Sequence, residues 1–67
     1  MRYEVRVRGH LGTAMRQAFA DLQVEPQGSD TVLSGELPDQ SALHGMLAQI
    51  ESLGLELLEV RRLPSDR

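Results

Sequence analysis

The first residues of the chain alternate strictly between charged and apolar side chains. Charged residues occupy positions 2, 4, 6 and 8, and apolar residues lie between them. A period of two residues is typical of a β-strand that buries one face and exposes the other. The pattern therefore predicts a strand over residues 2–8 whose core-facing side chains are Tyr3, Val5 and Val7.

The small size of the chain limits how it can be stabilised. A protein of 67 residues buries only about 60% of the surface that its unfolded chain exposes, so its core is thin. The chain contains no cysteine, which excludes disulfides, cysteine-bound zinc, thiolate nucleophiles and soft-metal sites. We therefore expect a single domain over residues 1–63, a frayed tail over residues 64–67, and oligomerisation as the remaining usual support.

Two later segments change to a period of about 3.6 residues, which predicts amphipathic helices. The first helix is expected from about Leu11 or Thr13 to Leu22. Its apolar stripe consists of Leu11, Met15, Ala18, Phe19 and Leu22. The second begins after Asp39, the expected N-cap, and ends before Gly54, which is expected in a left-handed conformation. Its apolar stripe consists of Leu43, Met46, Leu47, Ile50 and Leu53.

A hairpin is predicted between the two helices. Residues 23–26 form a short strand that belongs at a sheet edge, because Pro26 has no N–H to donate to a neighbouring strand. The turn signal at residues 27–30 joins this strand to another over residues 31–37.

The last strand completes a recognisable order of elements. Residues 55–63 show mixed alternation, which indicates either a β-bulge near Leu57 and Leu58 or apolar residues on both faces. The complete order is then β-α-β-β-α-β. Two β-α-β halves joined through a hairpin make the ferredoxin-like α+β fold, a four-stranded antiparallel sheet with two helices on one face.

The other face of this sheet is left uncovered and is mostly charged. According to the alternation, the side chains that point to this uncovered face are those of Arg2, Glu4, Arg6, Arg8, Val32, Ser34 and Glu36. Glu59 and Arg61 join them if Leu58 and Val60 are buried. We interpret the face as solvated and held by cross-strand ion pairs, and the alternative is a site for an anion or an acidic partner on its arginines. RNA-binding sheets carry stacking aromatics on this face, whereas both aromatic residues here are assigned to the core.

Composition argues against several classes of function. A net charge of −3 and a pI near 5.2 argue against nucleic-acid binding. No run of about 18 apolar residues could span a membrane, and the first residues lack the apolar core of a signal peptide, so we expect a cytoplasmic protein. His10 and His44 lie on different elements without a third ligand, so we expect neither a metal site nor a cofactor. No nucleophile has a base at a characteristic spacing, and no enzymatic activity is expected.

The loop before the first helix is a candidate ligand site. The run Gly9-His10-Leu11-Gly12 opens the helix and could bind an anion, with Arg16 supplying positive charge. The candidate ligand-binding residues are Gly9, His10, Gly12 and Arg16. Alternatively, the two glycines serve only to turn the chain, and His10 is a turn or capping residue.

The second helix carries a line of small residues opposite its apolar stripe: Ser41, Gly45, Ala48 and Ser52. A helical glycine costs about 1 kcal/mol relative to alanine, and solvent exposure gives no reason to accept that cost. We therefore interpret the line, with the neighbouring His44, as a homodimer interface that brings two backbones close together. His44 near its symmetry mate would make assembly sensitive to pH near neutrality. The alternative is a weakly selected polar face.

Two resemblances bear on function. The βαββαβ order with a glycine-bearing first loop is similar to ACT-type regulatory domains, which pair and bind amino acids or other small ligands at interfaces. The run Asp39-Gln40-x-x-Leu43-His44-Gly45-x-Leu47 resembles a group of short bacterial proteins of unassigned function. This resemblance implies a bacterial cytoplasmic origin, and it does not point to any particular activity. We expect a non-enzymatic homodimeric interaction or regulatory module, with a protein partner as a further possibility. The alternative is an ACT-like sensor of an amino acid or anion.

Overall fold

The computed structural model describes residues 1–64. The elements follow the predicted order: β1 (Arg2–Arg8), α1 (Thr13–Ala18), β2 (Gln23–Gln27), β3 (Asp30–Glu36), α2 (Gln40–Ser52) and β4 (Leu57–Leu63). Of the expected frayed tail, Pro64 is exposed and follows the last strand. Residues 65–67 lie outside the described residues.

The four strands form one antiparallel sheet in the order β2-β3-β1-β4. β1 and β3 therefore occupy the middle of the sheet, and β2 and β4 form its edges. This topology and the two helices confirm the ferredoxin-like α+β fold. Pro26 lies on the edge strand β2, as its missing N–H requires.

The core lies between the inner face of the sheet and the helices. The alternation of β1 is confirmed, because its apolar residues are buried and most of the intervening charged residues are half-buried. Leu33 of β3 lies directly opposite Val5, and both side chains are fully buried. The helical layer and its connections add Phe19, Leu43, Met46 and Ile50 to this cluster.

The first helix is shorter than the apolar stripe predicts. It ends at Ala18, and the prediction that it continues to Leu22 was wrong. The Phe19 N–H bonds to the Arg16 carbonyl, and the Leu22 N–H bonds to the Phe19 carbonyl, so tight turns replace the last helical turn. Leu22 instead packs on β3, where a Cβ added to Gly35 would lie 2.7 Å from Leu22 Cδ2. This tertiary contact ends the helix at a place where the sequence has no glycine or proline.

The second helix has the ends that the sequence predicts. The Asp39 carboxylate accepts a backbone N–H of the first turn at 2.9 Å, so Asp39 is the N-cap. At the other end Gly54 has a φ of 78°. The Leu55 N–H bonds to the Ile50 carbonyl and the Gly54 N–H bonds to the Glu51 carbonyl. This pair of bonds is the Schellman motif, which stops the helix and turns the chain toward β4.

The last strand contains the predicted bulge. Glu59 lies opposite Arg6 and Leu57 lies opposite Val7, so Leu58 is the extra residue between these two pairs. Of the two alternatives for the mixed alternation, the bulge accounts for the register. It lies at the start of β4 and leaves the rest of the strand regularly paired.

The condition under which Glu59 and Arg61 were expected on the outer face, burial of Leu58 and Val60, is not met. These side chains are 37% and 38% exposed, although Val60 lies opposite the fully buried Val5 on the same face of the sheet. The helical layer covers β1 and β3 and leaves the edge strand β4 open, which explains the difference. Glu59 and Arg61 nevertheless lie on the outer face as expected, because their register partners on β1 face outward.

Ion pairs hold part of the outer face. Arg6 Nη1 lies 3.5 Å from Asp30 Oδ2 across the β1–β3 pair, and Arg8 Nε lies 2.9 Å from Glu56 Oε1. Arg6 also donates to the side-chain amide oxygen of Gln27. Ion pairs at a protein surface each contribute about 0.2–1 kcal/mol. The charges of these two arginines are compensated within the chain, which favours the interpretation of a solvated face.

We expect Gly28→Ala to lower the free energy of unfolding by about 1–2 kcal/mol. Gly28 begins the two-residue β2–β3 turn with a φ of 61°, a conformation that strains an L side chain. Gly12→Ala is the control, because Gly12 has a φ of −74° and open space around its Cα. It is expected to change stability by less than about 0.5 kcal/mol. Equal losses in the two variants during urea denaturation would contradict this account of the turn.

Candidate functional site

A groove of about 360 Å³ lies between α2 and β4. It is called the β4 groove below. Its lining consists of His44, Leu47, Ala48, Ile50, Glu51, Leu55 and Leu57. The apolar side chains come from the flank of α2 that faces the open edge of the sheet, and from the segment that enters β4. The groove is therefore the surface left where the helical layer stops short of the last strand.

The exposed large apolar side chains within residues 1–64 all lie on β4: Leu57, Leu58 and Val60. Leu57 lies opposite Val7, which is fully buried, yet Leu57 is 43% exposed. The apolar face of the sheet thus continues onto a strand that the rest of the described chain covers only in part. An edge strand also presents unpaired N–H and C=O groups, so it can pair with another strand. Sequence reasoning missed this surface, because mixed alternation near Leu57 revealed the bulge but not the position of the strand at an edge.

The small-residue line on α2 is accessible. Ser41, Gly45, Ala48 and Ser52 are all exposed, and a Cβ added to Gly45 would meet no atom within 4 Å. His44 and Ala48 line the β4 groove, whereas the other three residues do not. The predicted interface is thus divided between the flank of α2 that faces β4 and the side that faces solvent. A dimer contact at these five residues stays a prediction.

The glycine loop is fixed to the β2–β3 hairpin. The Gly9 N–H donates to the Ser29 carbonyl at 3.0 Å, and the buried Thr31 hydroxyl donates to the Gly9 carbonyl at 2.6 Å. The Nε2 of His10 lies 2.8 Å from the Gly28 carbonyl oxygen. Gly9 has a φ of 87°, which places its carbonyl within reach of Thr31. These contacts support the alternative that the loop turns the chain and that His10 secures the turn.

His10 and Arg16 meet at a second, smaller pocket of about 180 Å³. Its lining consists of His10, Leu11, Arg16, Val24, Pro26 and Thr31. Arg16 Nη2 donates to the Val24 carbonyl at 3.4 Å, which holds the guanidinium beside the pocket. Gly9 and Gly12 do not line it. The structure therefore brings together two of the four predicted ligand residues, and ligand binding there stays a prediction.

The described residues contain few other chemical features. Within residues 1–64 no group of three His, Asp or Glu side chains could hold a metal ion. Every buried side-chain nitrogen or oxygen in that part of the chain has a hydrogen-bond partner. None of the helices in this region has the length and apolar character needed to cross a membrane. Two candidate sites are the β4 groove with its strand edge and the pocket at His10 and Arg16.

We expect Gly45→Ala to raise the free energy of unfolding by about 0.5–1 kcal/mol, because alanine favours the helix and the site has room for a Cβ. Urea denaturation measures the change, and Ser41→Ala is the control on the same side of α2. If a second backbone packs on Gly45, the added Cβ would instead weaken assembly. A fall in stability that depends on protein concentration would therefore assign the dimer interface to the small-residue line.

A protein family matches most of the chain. The family described as Domain of unknown function (DUF8691) matches residues 2–61, which include every element of the fold apart from the last two residues of β4. No curated protein and no solved structure matches the chain significantly. The family description assigns no activity, so function must be argued from the surfaces described above. The chain belongs to the DUF8691 family of domains of unknown function.

Proposed function

We propose that this protein is a non-catalytic interaction module that forms a homodimer through β4 and the adjoining β4 groove. One observation carries the proposal. Within residues 1–64 the exposed large apolar side chains are confined to a single edge strand: Leu57, Leu58 and Val60. Monomeric proteins rarely leave an apolar edge strand open, because it recruits further strands.

The two edges of the sheet differ in a way that supports this surface. On β2, Pro26 removes a backbone donor, and its neighbours Glu25 and Gln27 are polar and exposed. These features discourage strand addition. β4 has no proline, and its apolar side chains lie beside an apolar groove. The asymmetry favours β4 as the edge on which another strand pairs.

The size of the chain favours assembly on energetic grounds. A short chain has a thin core, and burial of further apolar surface between copies stabilises the folded state. Leu57, Leu58 and Val60 are each about two-fifths exposed, so covering one of them contributes roughly 1 kcal/mol. In a symmetric dimer these side chains are covered in both copies, so each contribution counts twice. A regulatory role through a protein partner, and the bacterial cytoplasmic origin, stay predictions.

Val60→Lys is expected to convert the dimer into a monomer, because it places a charge in the centre of the proposed contact. Val60 is 38% exposed on an edge strand, so the lysine chain can reach water in the monomer and the fold should survive. Sedimentation equilibrium from micromolar to millimolar protein measures the change. Gln23→Lys on β2 is the control, since it adds the same charge at the opposite edge of the sheet.

The two variants and the parent protein together decide the proposal. A parent dimer that persists in Gln23→Lys and is lost in a folded Val60→Lys supports association through β4. A parent protein that stays monomeric at all concentrations contradicts it. A Val60→Lys variant that stays dimeric moves the interface elsewhere, with the small-residue line of α2 as the first surface to mutate.

A second candidate function is the sensing of a small anionic ligand, such as an amino acid carboxylate or an inorganic anion. The observation that favours it is the pocket shared by His10 and Arg16. An arginine beside a pocket can bind a carboxylate or phosphate through paired hydrogen bonds. The likeness of the fold to ACT-type domains points in the same direction, but only by analogy.

A thermal-shift screen with amino acids, acetate and phosphate tests this candidate. A ligand present at about 100 times its Kd adds about 2.7 kcal/mol of stability, which raises the Tm of a domain of this size by on the order of 10 °C. Arg16→Gln should remove the shift, whereas Arg2→Gln, which removes an arginine outside the pocket, should retain it. The absence of any shift across the screen, or equal shifts in both variants, would argue against a site at Arg16.

A further inference from the structure

Three charged side chains of β4 have no ionic partner within residues 1–64: Glu59, Arg61 and Arg62, of which Arg62 lies opposite Tyr3 on the inner face of the sheet. Glu59 and Arg61 lie on the outer face of the sheet, directly opposite Arg6 and Glu4 of β1. Neither forms an ion pair within residues 1–64, and Arg6 pairs with Asp30 on β3 instead. The outer edge of β4 therefore presents one negative and one positive side chain two positions apart, and both are exposed.

We propose that two copies of the chain pair antiparallel along β4 with Val60 on the two-fold axis. This inference rests on the homodimer proposed above and specifies its geometry. Glu59 of each copy then lies opposite Arg61 of the other, and the two sheets continue as one. Directly opposed residues of opposite charge stabilise an antiparallel pair, and like charges destabilise it. The open edge of β4 supplies the backbone donors and acceptors.

The charges select this register over its neighbours. In an antiparallel pair, directly opposed residues share a face of the sheet, so a symmetric pair must be centred on one residue. Centring the pair on Glu59 would place that carboxylate opposite its own copy. Centring it on Arg61 would place two guanidinium groups opposite each other. Only the register centred on Val60, among these three, opposes unlike charges.

The same register also covers the apolar side chains. Val60 would contact Val60 of the second copy on the inner face of the sheet, where it is now partly exposed. The segment Glu59–Leu63 pairs with β1 without interruption, because the bulge at Leu58 lies before it. Its open edge is therefore regular enough to accept a strand. The second copy also approaches the β4 groove, whose lining includes Leu47 and Leu57.

The test exchanges the charges. Glu59→Arg leaves two positive side chains at these positions, and Arg61→Glu leaves two negative ones. Each variant alone should show a rise of about tenfold or more in the dimer dissociation constant, because every opposed pair then repels. An equimolar mixture should form a heterodimer with nearly the parent affinity. Sedimentation velocity measures the association, and native mass spectrometry identifies the heterodimer by its mass.

Two controls separate this register from effects within one chain. A defect in the contacts of Glu59 or Arg61 with β1 is intramolecular, so mixing the two variants cannot repair it. The double variant E59R/R61E restores unlike pairs between the two copies and should self-associate like the parent, although within each chain it opposes like charges across β1 and β4. Glu25→Arg makes the charge change of Glu59→Arg on the opposite edge strand and should leave the dimer intact. Circular dichroism and Tm establish that each variant is folded.

The outcomes also distinguish this inference from the proposed function. A parent protein that is monomeric overturns both. A parent dimer that Val60→Lys disrupts, but whose charge variants dimerise alone or fail to recover on mixing, overturns the register and leaves the homodimer through β4. Loss in the single variants with recovery in the mixture and in the double variant supports the register.

Discussion

Burial of the alternate side chains of β1 is the interaction on which the rest of the structure depends. Val5 and Val7 are fully buried, and β1 pairs with β3 on one side and β4 on the other. Leu33 and Val60 flank Val5 in this register. A shift of one residue would turn the charged side chains of β1 toward the helices, so the alternation fixes the register of its neighbours as well as its own orientation.

The two helices cover this inner face unevenly, and the uneven cover creates the main candidate surface. Leu33 and Val60 lie on opposite sides of Val5, yet Leu33 is fully buried and Val60 is partly exposed. α1 is only six residues long, and α2 directs its apolar side chains into the core of the central strands. A chain of this length has little helical surface to spare for an edge strand. The short chain length that gives a thin core therefore also leaves an apolar edge strand that a second copy can cover.

The pocket at His10 and the edge at β4 use different elements of the fold. The first depends on the contacts of the glycine loop with Thr31 and with the turn at Gly28. The second depends on where α2 ends and where β4 enters the sheet, which the Schellman motif at Gly54 fixes. Because neither surface shares its supporting contacts with the other, a ligand site and a dimer interface can coexist in one molecule and can be tested separately.

The sequence by itself determined the order of the elements, the buried face of β1, the caps of α2 and the edge position of Pro26, and it narrowed the last strand to a bulge near Leu57 and Leu58 or apolar residues on both faces. Each of these follows from periodicity or backbone chemistry within a few residues. Only the tertiary structure decided that α1 ends at Ala18, that Val60 is exposed, and that His10 and Arg16 share a pocket. These features depend on contacts between residues far apart in the chain, such as Leu22 with Gly35, and on how far the helical layer extends over the sheet. Local patterns fix what each segment becomes, whereas exposure and proximity depend on which segments lie beside it.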